Sequence, residues 1–307
     1  LGTIVFMEEI QSLQNPIIKH LVKLREQKEY RLQCNSVLLS GIKLIQELAP
    51  LHRYKTVLIE KGFTPSFPID AERFLIVNEP IMKKVSGLVQ PEPLAAEIDL
   101  PKEQDLSRKH YLLILDGISD PGNMGTLLRT ALALGWQGVL ITPGSTDPFN
   151  EKALRSAKGA TFKIPLKTVS QKELEKFLAS SSYTLLAADS QGTPMNQIAI
   201  KTPIALALGN EANGLSVSLK RCAKAIAIPI EKEMESLNVA CAGAILMQFL
   251  VYPNNLKNRE FDKEAPHNPC QEQATIVRAQ GASEDKNYEE KPTQSKTDSS
   301  SCLGIKR

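Results

Sequence analysis

The chain has 307 residues, of which 42% are hydrophobic and 23% charged, with a formal net charge of +3. That length suits about two domains with buried cores, and the mildly basic balance permits a nucleic-acid partner without arguing for one. The five cysteines (Cys34, Cys222, Cys241, Cys270, Cys302) and four histidines are scattered, which excludes a zinc knuckle, a dithiol redox motif or any other short-spaced metal cluster.

The first region runs from about residue 8 to 98. Before it, Leu1 to Phe6 is apolar but lacks the basic flank and small-residue cleavage site of a secretory signal. Leu1 is not a methionine, so Met7 is one candidate start. A helix is expected over Pro16–Leu32, with Ile17, Leu21 and Leu24 at helical spacing and Lys19, Lys23, Arg25, Lys28 and Arg31 making its other faces basic. Strands follow at Val37–Leu39, Thr56–Ile59 and Phe74–Val77, and helices at Gly41–Leu48 and Pro80–Ser86. This reads as a small mixed α/β domain. The charged, proline-containing stretch Leu100–Lys109 reads as a linker.

The second domain is expected over about 110–253. Short apolar runs at Tyr111–Leu115, Gly138–Ile141, Thr184–Ala187, Ile204–Leu208 and Ala225–Ile228 read as buried strands. Helical patterns separate most of them: Asn123–Leu134, Asn150–Lys158, Gln171–Ala179 and finally Ser236–Tyr252. Such alternation implies an α/β fold with a parallel sheet covered on both faces. Ser236–Pro253 carries no charge and is near the lower length limit of a bilayer span. Its Ser236, Asn238 and Gln248 and its many small residues favour a helix buried within the protein. The polar remainder, 254–307, has too few large apolar residues to offset chain entropy and is expected to be disordered.

Three segments have the composition of a site. In Leu115–Thr130 a strand ends in a turn carrying Gly117, Gly122 and Gly125, which let the backbone bend and a ligand approach it. Asn123 stands where it can cap the following helix. Arg129 falls on the same helical face as Gly122 and Gly125, so its guanidinium is expected over the turn, beside the positive end of the helix dipole. A βα turn with a solvated arginine is an equally economical reading of this segment alone. The second segment, Leu206–Leu215, follows another buried strand and holds Gly209, Asn210, Glu211 and Gly214 at the sheet edge where α/β proteins bind ligands. The third, Ile228–Val239, contains Ser236 and Asn238 just before the uncharged helix, positions suited to capping it or bonding a ligand. Cys241 is expected in the core, Trp136 between helix and strand, and Glu231–Glu235 in a solvated loop. No histidine accompanies Ser216 or Ser218, so a hydrolase triad is unsupported.

In this order, the three segments resemble the signature motifs of the SpoU (TrmH-like) RNA 2′-O-ribose methyltransferases of the SPOUT superfamily, over roughly residues 107–253. Leu154–Ala160 resembles the family's segment before its middle strands. More loosely, Ser12–Lys19 and Val37–Leu48 resemble the ribosomal-protein-like RNA-binding domain that often precedes this catalytic domain, although Ser40 replaces a frequent glutamate. The resemblance implies a trefoil knot, a homodimer with active sites near its interface, RNA as partner (ribosomal rather than transfer RNA), and S-adenosylmethionine as cofactor, with no metal and no membrane. It maps the catalytic arginine onto Arg129 and the other motif residues onto Asn123, Glu211, Ser236 and Asn238. Cofactor contacts map onto Leu208, Gly209, Asn210, Gly214, Ile228, Ile230, Leu237 and Val239. The expected compartment is the cytoplasm, where thiols stay reduced. Two other functions remain open: an RNA-binding protein that keeps the fold without catalysis, and a nucleotide-dependent oxidoreductase. The absence of G-x-G-x-x-G weighs against the latter.

Overall fold

The computed structural model describes residues 6–231 and 233–252, so the expected tail at 254–307 lies outside the described residues. Two sheets organise the chain. The first has strands β1 (Phe6–Ile10), β2 (Ser36–Ser40), β3 (Tyr54–Glu60), β4 (Ala71–Val77) and β5 (Leu94–Asp99), in the order β1-β4-β3-β5-β2. β5 pairs antiparallel with both β3 and β2, whereas β1, β4 and β3 are parallel. Strand alternation sends Leu38, Leu58 and Leu75 to one face, against Leu21 and Leu24 of α1 (Pro16–Glu26) and Ile81 and Met82 of α4 (Glu79–Ser86). Val37, Leu39 and Val57 point to the other face, against α3 (Ile42–Leu48).

This half departs from the sequence expectation by the added strand β1 and by two further features. β5 is not announced by its residues: Leu-Ala-Ala-Glu-Ile-Asp is poor in β-branched residues and has a charge at its centre. Folding buries that charge, with Glu97 accepting bonds from Ser36 Oγ (2.8 Å), Thr56 Oγ1 (3.3 Å) and His20 Nε2 (3.0 Å). The single basic helix expected over Pro16–Leu32 is broken at Gln27, whose backbone is extended, into α1 and α2 (Lys28–Cys34). No proline or glycine causes the break. A tertiary contact sustains it: the buried Arg31 turns back and donates from Nη1 to the free carbonyls of Leu24 (2.7 Å) and Arg25 (2.9 Å) at the end of α1.

The second sheet contains β6 (Tyr111–Asp116), β7 (Gly138–Ile141), β8 (Leu166–Thr168), β9 (Thr184–Pro194), β10 (Ile204–Gly209) and β11 (Lys224–Ala227), all parallel, in the order β11-β9-β10-β6-β7-β8. α5 (Pro121–Ala133) and α9 (Val239–Val251) cover one face, while α7 (Gln171–Ala179) and α8 (Val217–Cys222) cover the other. The doubly covered parallel sheet is therefore as expected, with β8 and α8 added. Trp136 is buried against this core and donates from Nε1 to the Met247 carbonyl of α9 (3.4 Å). α6 (Glu151–Ala157) packs on α5 so closely that a Cβ on Gly125 would sit 2.2 Å from the Ala153 carbonyl oxygen. Gly125 is thus a helix-packing residue, not part of a ligand-facing turn.

α6 also ties the two sheets together. Its Leu154 is buried among Val37, Leu39 and Leu44 of the first half, with Phe149 and Phe162 packed beside it. Arg31 forms an ion pair with Asp147, and Lys163 another with Glu47 at 2.6 Å. Leu100–Lys109 has no strand or helix, and it is anchored, with Leu106 buried and Tyr183 Oη donating to the Lys109 carbonyl (2.6 Å).

α9 begins at Val239 rather than Ser236, with Asn238 as its cap. It is buried along one side only: Cys241, expected in the core, is exposed together with Ile245 and Tyr252. No helix among the described residues is long and apolar enough to cross a membrane.

Candidate active site

Because every strand of the second sheet is parallel, the loops after β6, β10 and β11 leave from one edge of the sheet. The chain order reverses between β6 and β10, the switch point where such sheets open a crevice. All three sequence segments singled out above lie at this edge.

The loops are stitched by a hydrogen-bonded chain of fixed polarity. Asn238 Oδ1 accepts the Ala240 and Cys241 N–H groups (2.9 and 3.3 Å) that α9 leaves unpaired at its start. Its Nδ2 must then face outward, and it donates to Asn123 Oδ1 (3.1 Å). Asn123 Nδ2 in turn donates to Glu211 Oε1 (2.7 Å), and Ser119 Oγ donates to Glu211 Oε2 (3.3 Å). A carboxylate only accepts, so each amide orientation follows from its neighbours. This explains why Asn123 is not the cap it was expected to be. Asp120 caps α5 instead, accepting the Asn123 N–H at 2.8 Å, and the Asn123 side chain is left free to reach across. That N–H first, and then Lys152 at 3.1 Å, hold the Asp120 carboxyl below its ordinary range.

Asn210 works as a joint. Its Nδ2 donates to the Gly117 carbonyl (2.8 Å) and its Oδ1 accepts the Ala212 and Asn213 N–H groups (each 2.9 Å). Its backbone pairs in both directions with Gly214. The polar groups of Asn210 and the backbone of Gly214 are therefore engaged in shaping the loop. The loop folds back so tightly that a Cβ on Gly209 would lie 2.5 Å from the Gly214 and Leu215 backbone. Leu208 is fully buried in the core. Asp116, which the sequence reading passed over, is buried at the end of β6. It accepts from Thr142 Oγ1 and the Ser216 N–H, each at 2.7 Å, locking the loop after β10 to the neighbouring strands. An acidic residue closing an apolar strand was the available signal. Ser119 and Lys152 were missed for want of any pattern.

Arg129 is exposed on α5 and makes no hydrogen bond or ion pair among the described residues. The expected posture over a glycine turn is not formed, because Gly122 and Gly125 lie inside α5, which starts at Pro121. Nor does Glu211 hold Arg129; its oxygens take Asn123 and Ser119. Ser236 is exposed in the loop before α9 and caps nothing.

The loop after β11 has the character of a ligand cradle. Among the described residues, the only backbone hydrogen bond within Ile228–Leu237 runs from the Met234 N–H to the Glu231 carbonyl (3.1 Å). Among the described residues, the backbone groups of Ile228, Ile230 and Leu237 have no hydrogen-bond partner. Ile230 and Leu237 are only partly exposed (37% and 38%) and offer apolar surface, while Ile228 and Val239 pack against the core beneath. Open backbone donors and acceptors beside aliphatic side chains fit a flat, polar-edged ring such as adenine.

The model of the SpoU rRNA Methylase family matches residues 110–248, and that of an MRM3-like substrate binding domain matches 15–96. The chain is 32% identical over 252 residues to the 23S rRNA (guanosine(2553)-2′-O)-methyltransferase RlmP of Bacillus subtilis, a match covering 80% of this chain and 99% of the relative. It is 26% identical to the mitochondrial rRNA methyltransferase 3A of Danio rerio, covering 77% of this chain and 69% of the relative. The crystal structure of an AdoMet-bound rRNA methyltransferase from Sinorhizobium meliloti superposes with a TM-score of 0.69 at 27% identity, covering 80% of this chain and 97% of that one. The chain belongs to the SpoU rRNA methylase family.

Proposed function

We propose that the chain methylates a ribose 2′-hydroxyl of ribosomal RNA, using S-adenosylmethionine. The observation that carries this reading is the Asn238–Asn123–Glu211 chain, which joins the starts of α9 and α5 to the loop after β10 at the sheet's switch point, with Arg129, unpartnered among the described residues, on the same helix as Asn123. The names of the relatives, which act on ribosomal RNA, support the substrate class.

Bound in the cradle of Gly209, Ile228, Ile230, Leu237 and Val239, S-adenosylmethionine supplies an electrophilic methyl group on a sulfonium. The protein's task is then alignment, which alone can account for much of a rate. Leu208, Asn210 and Gly214 serve the cradle indirectly, by packing and by shaping the loop. A ribose hydroxyl is a weak nucleophile and gives up its proton as it takes the methyl group. A guanidinium stays protonated at ordinary pH, so Arg129 acts as a clamp on the phosphate next to the target ribose. Asn123, held by Glu211 and Asn238, fixes the start of α5 and hence where Arg129 stands; Ser236 lies in the loop after β11, two residues before Asn238.

The domain assignment belongs to the same proposal: 8–98 binds RNA, 99–109 connects, and 110–253 carries the chemistry. So do the trefoil knot and the homodimer. The exposed, uncharged face of α9, with Cys241, Ile245 and Gln248, and Tyr252 just beyond its end, supports the dimer. The free thiols of Cys34, Cys222 and Cys241 support a reducing, cytoplasmic compartment. The test is Arg129→Ala: cofactor affinity unchanged, and turnover on ribosomal RNA down by about 10²–10³-fold, the usual cost of one lost transition-state contact. Near-normal turnover would remove Arg129 from the mechanism.

A further inference from the structure

Between the two halves of the chain, beside the candidate active site, lies an open cleft of about 130 Å³. That is well above the ~10–15 Å³ that one water needs. One wall is α2, presenting Lys28 and Leu32, which are four residues apart and so on one helical face. The other is the loop after β7, with Pro143, Gly144 and Phe149, closed off by Thr168 at the end of β8.

We propose that this cleft receives a nucleotide of the substrate RNA flanking the one that is methylated. The inference rests on the RNA-methyltransferase reading and names a second contact for the same substrate.

Charge is the first argument. The carboxylate in the cleft, Asp147, is neutralised by the buried guanidinium of Arg31. Lys28 is exposed and forms no ion pair among the described residues. The cleft is left with one unpaired positive charge, which suits one phosphate. Chemistry of the walls is the second. Leu32 is 62% exposed, a large apolar side chain at the lip with no core role. With Pro143 and Phe149 it gives a ring two apolar faces, while the Gly144 N–H, unbonded among the described residues, and the Thr168 hydroxyl can meet a base edge. Unstacked RNA bases are held in this way, by flat apolar contact plus polar groups at the rim.

Position is the third. Ser145, in the same loop, accepts the Gly117 and Ile118 N–H groups on its hydroxyl (3.0 and 3.1 Å). The Thr146 N–H bonds the Ile118 carbonyl (2.7 Å). The cleft therefore shares a wall with the turn that leads to Ser119 and Asn123, so one continuous strand can enter both. Its walls are also preformed. Arg31 bonds α1 carbonyls with one nitrogen and Asp147 with the other, fixing α2 against the loop before any RNA arrives.

Lys28 and Leu32 are both exposed, so replacing them leaves folding intact. The experiment uses the full chain and unmethylated large-subunit ribosomal RNA transcribed in vitro. A photoreactive benzoylphenylalanine replaces Leu32, and the crosslinked nucleotide is mapped against the methylated one. In parallel, Lys28→Glu and Leu32→Asp are assayed for KM, kcat and the salt dependence of RNA affinity. The expected results are a crosslink within about three nucleotides of the methylated position, a KM for RNA raised about tenfold with kcat and cofactor affinity unchanged, and a salt slope reduced by about one for Lys28→Glu. A crosslink far from the methylated position, or an unchanged KM in both variants, overturns the cleft assignment while wild-type methylation still stands. Wild-type protein that binds cofactor but methylates no RNA overturns the underlying reading instead.

Discussion

Two hydrogen-bonded clusters in this molecule are each centred on a glutamate, one in each sheet. Glu97 lies in the first sheet, 5% exposed, with both oxygens taken by His20, Ser36 and Thr56. Tyr30 extends that cluster by bonding the other nitrogen of His20 at 2.9 Å, and burial raises its phenol above the ordinary range. Glu211 lies at the edge of the second sheet, exposed, and its partners are Ser119 of the loop after β6 and Asn123 of the first turn of α5. By residue type alone, the first cluster looks the more catalytic, since it holds a histidine, a serine and a carboxylate. Access decides otherwise. A buried, saturated carboxylate has nothing left to offer a substrate, and its bonds cement β5 between β2 and β3. The exposed chain at Glu211 ties the loop after β10 to the starts of α5 and α9, beside open backbone groups, the kind of order that alignment of bound molecules requires.

The contrast can be broken in graded steps. Replacing Glu97 by Ala leaves buried donors on Ser36 and Thr56, and a half-buried one on His20, without an acceptor, at roughly 1–3 kcal/mol for each buried group left unsatisfied. The urea midpoint should fall further than in Glu211→Ala or Asp120→Ala, with turnover per folded molecule unchanged. Glu211→Ala should do the reverse. Turnover falls about 10–100-fold, or about 1.4–2.7 kcal/mol in barrier, whereas stability moves by less than about 0.5 kcal/mol, as for other exposed positions. If Glu211→Ala instead melts the protein while sparing kcat, the two clusters have been assigned the wrong way round.

A smaller effect separates capping from site formation. Asp120→Ala removes the α5 cap at a cost of about 1 kcal/mol, detectable in thermal melts. Asp120→Asn keeps an oxygen for the Asn123 N–H and should recover most of that loss. The smallest effect is in pH. The Asp120 carboxyl is held below its ordinary range by the Asn123 N–H and then by Lys152. Its charge therefore stabilises the fold above the unfolded value of about 3.9, and the increment fades as pH falls through the lower folded value. The side chain is 44% exposed, so solvent and salt screen the effect. Urea midpoints of wild type and Asp120→Asn should differ slightly at pH 5 and converge toward pH 2; a gap that widens in acid contradicts the assignment.

Much of this architecture was legible from periodicity. The apolar runs of β6, β7 and β10 mark buried parallel strands, and the three segments between residues 115 and 239 do converge on one sheet edge. What escaped depends on partners distant in sequence. β5 is a strand because β2 and β3 flank it and supply donors for Glu97. α1 ends at Glu26 because Arg31 caps it from beyond the break. Cys241 is exposed because the small-residue helix it lies on turns only one side to the core. Within the site, the identity of Asn123 and Asn238 was readable but their work was not. Local sequence suggests a cap for Asn123 and a cap or a ligand contact for Asn238; Asn238 does cap α9, whereas Asp120, three residues before Asn123, takes the cap of α5 and leaves Asn123 to bridge to Glu211 and Asn238.

The most direct test of the account is transfer of a tritiated methyl group from S-adenosylmethionine to unmethylated ribosomal RNA, followed by alkaline hydrolysis and nuclease digestion. A methylated 2′-oxygen cannot attack its neighbouring phosphate, so the account predicts label in an alkali-resistant dinucleotide that releases a 2′-O-methylated nucleoside. Label on a base, or no label in ribosomal RNA from protein that demonstrably binds the cofactor, would contradict it.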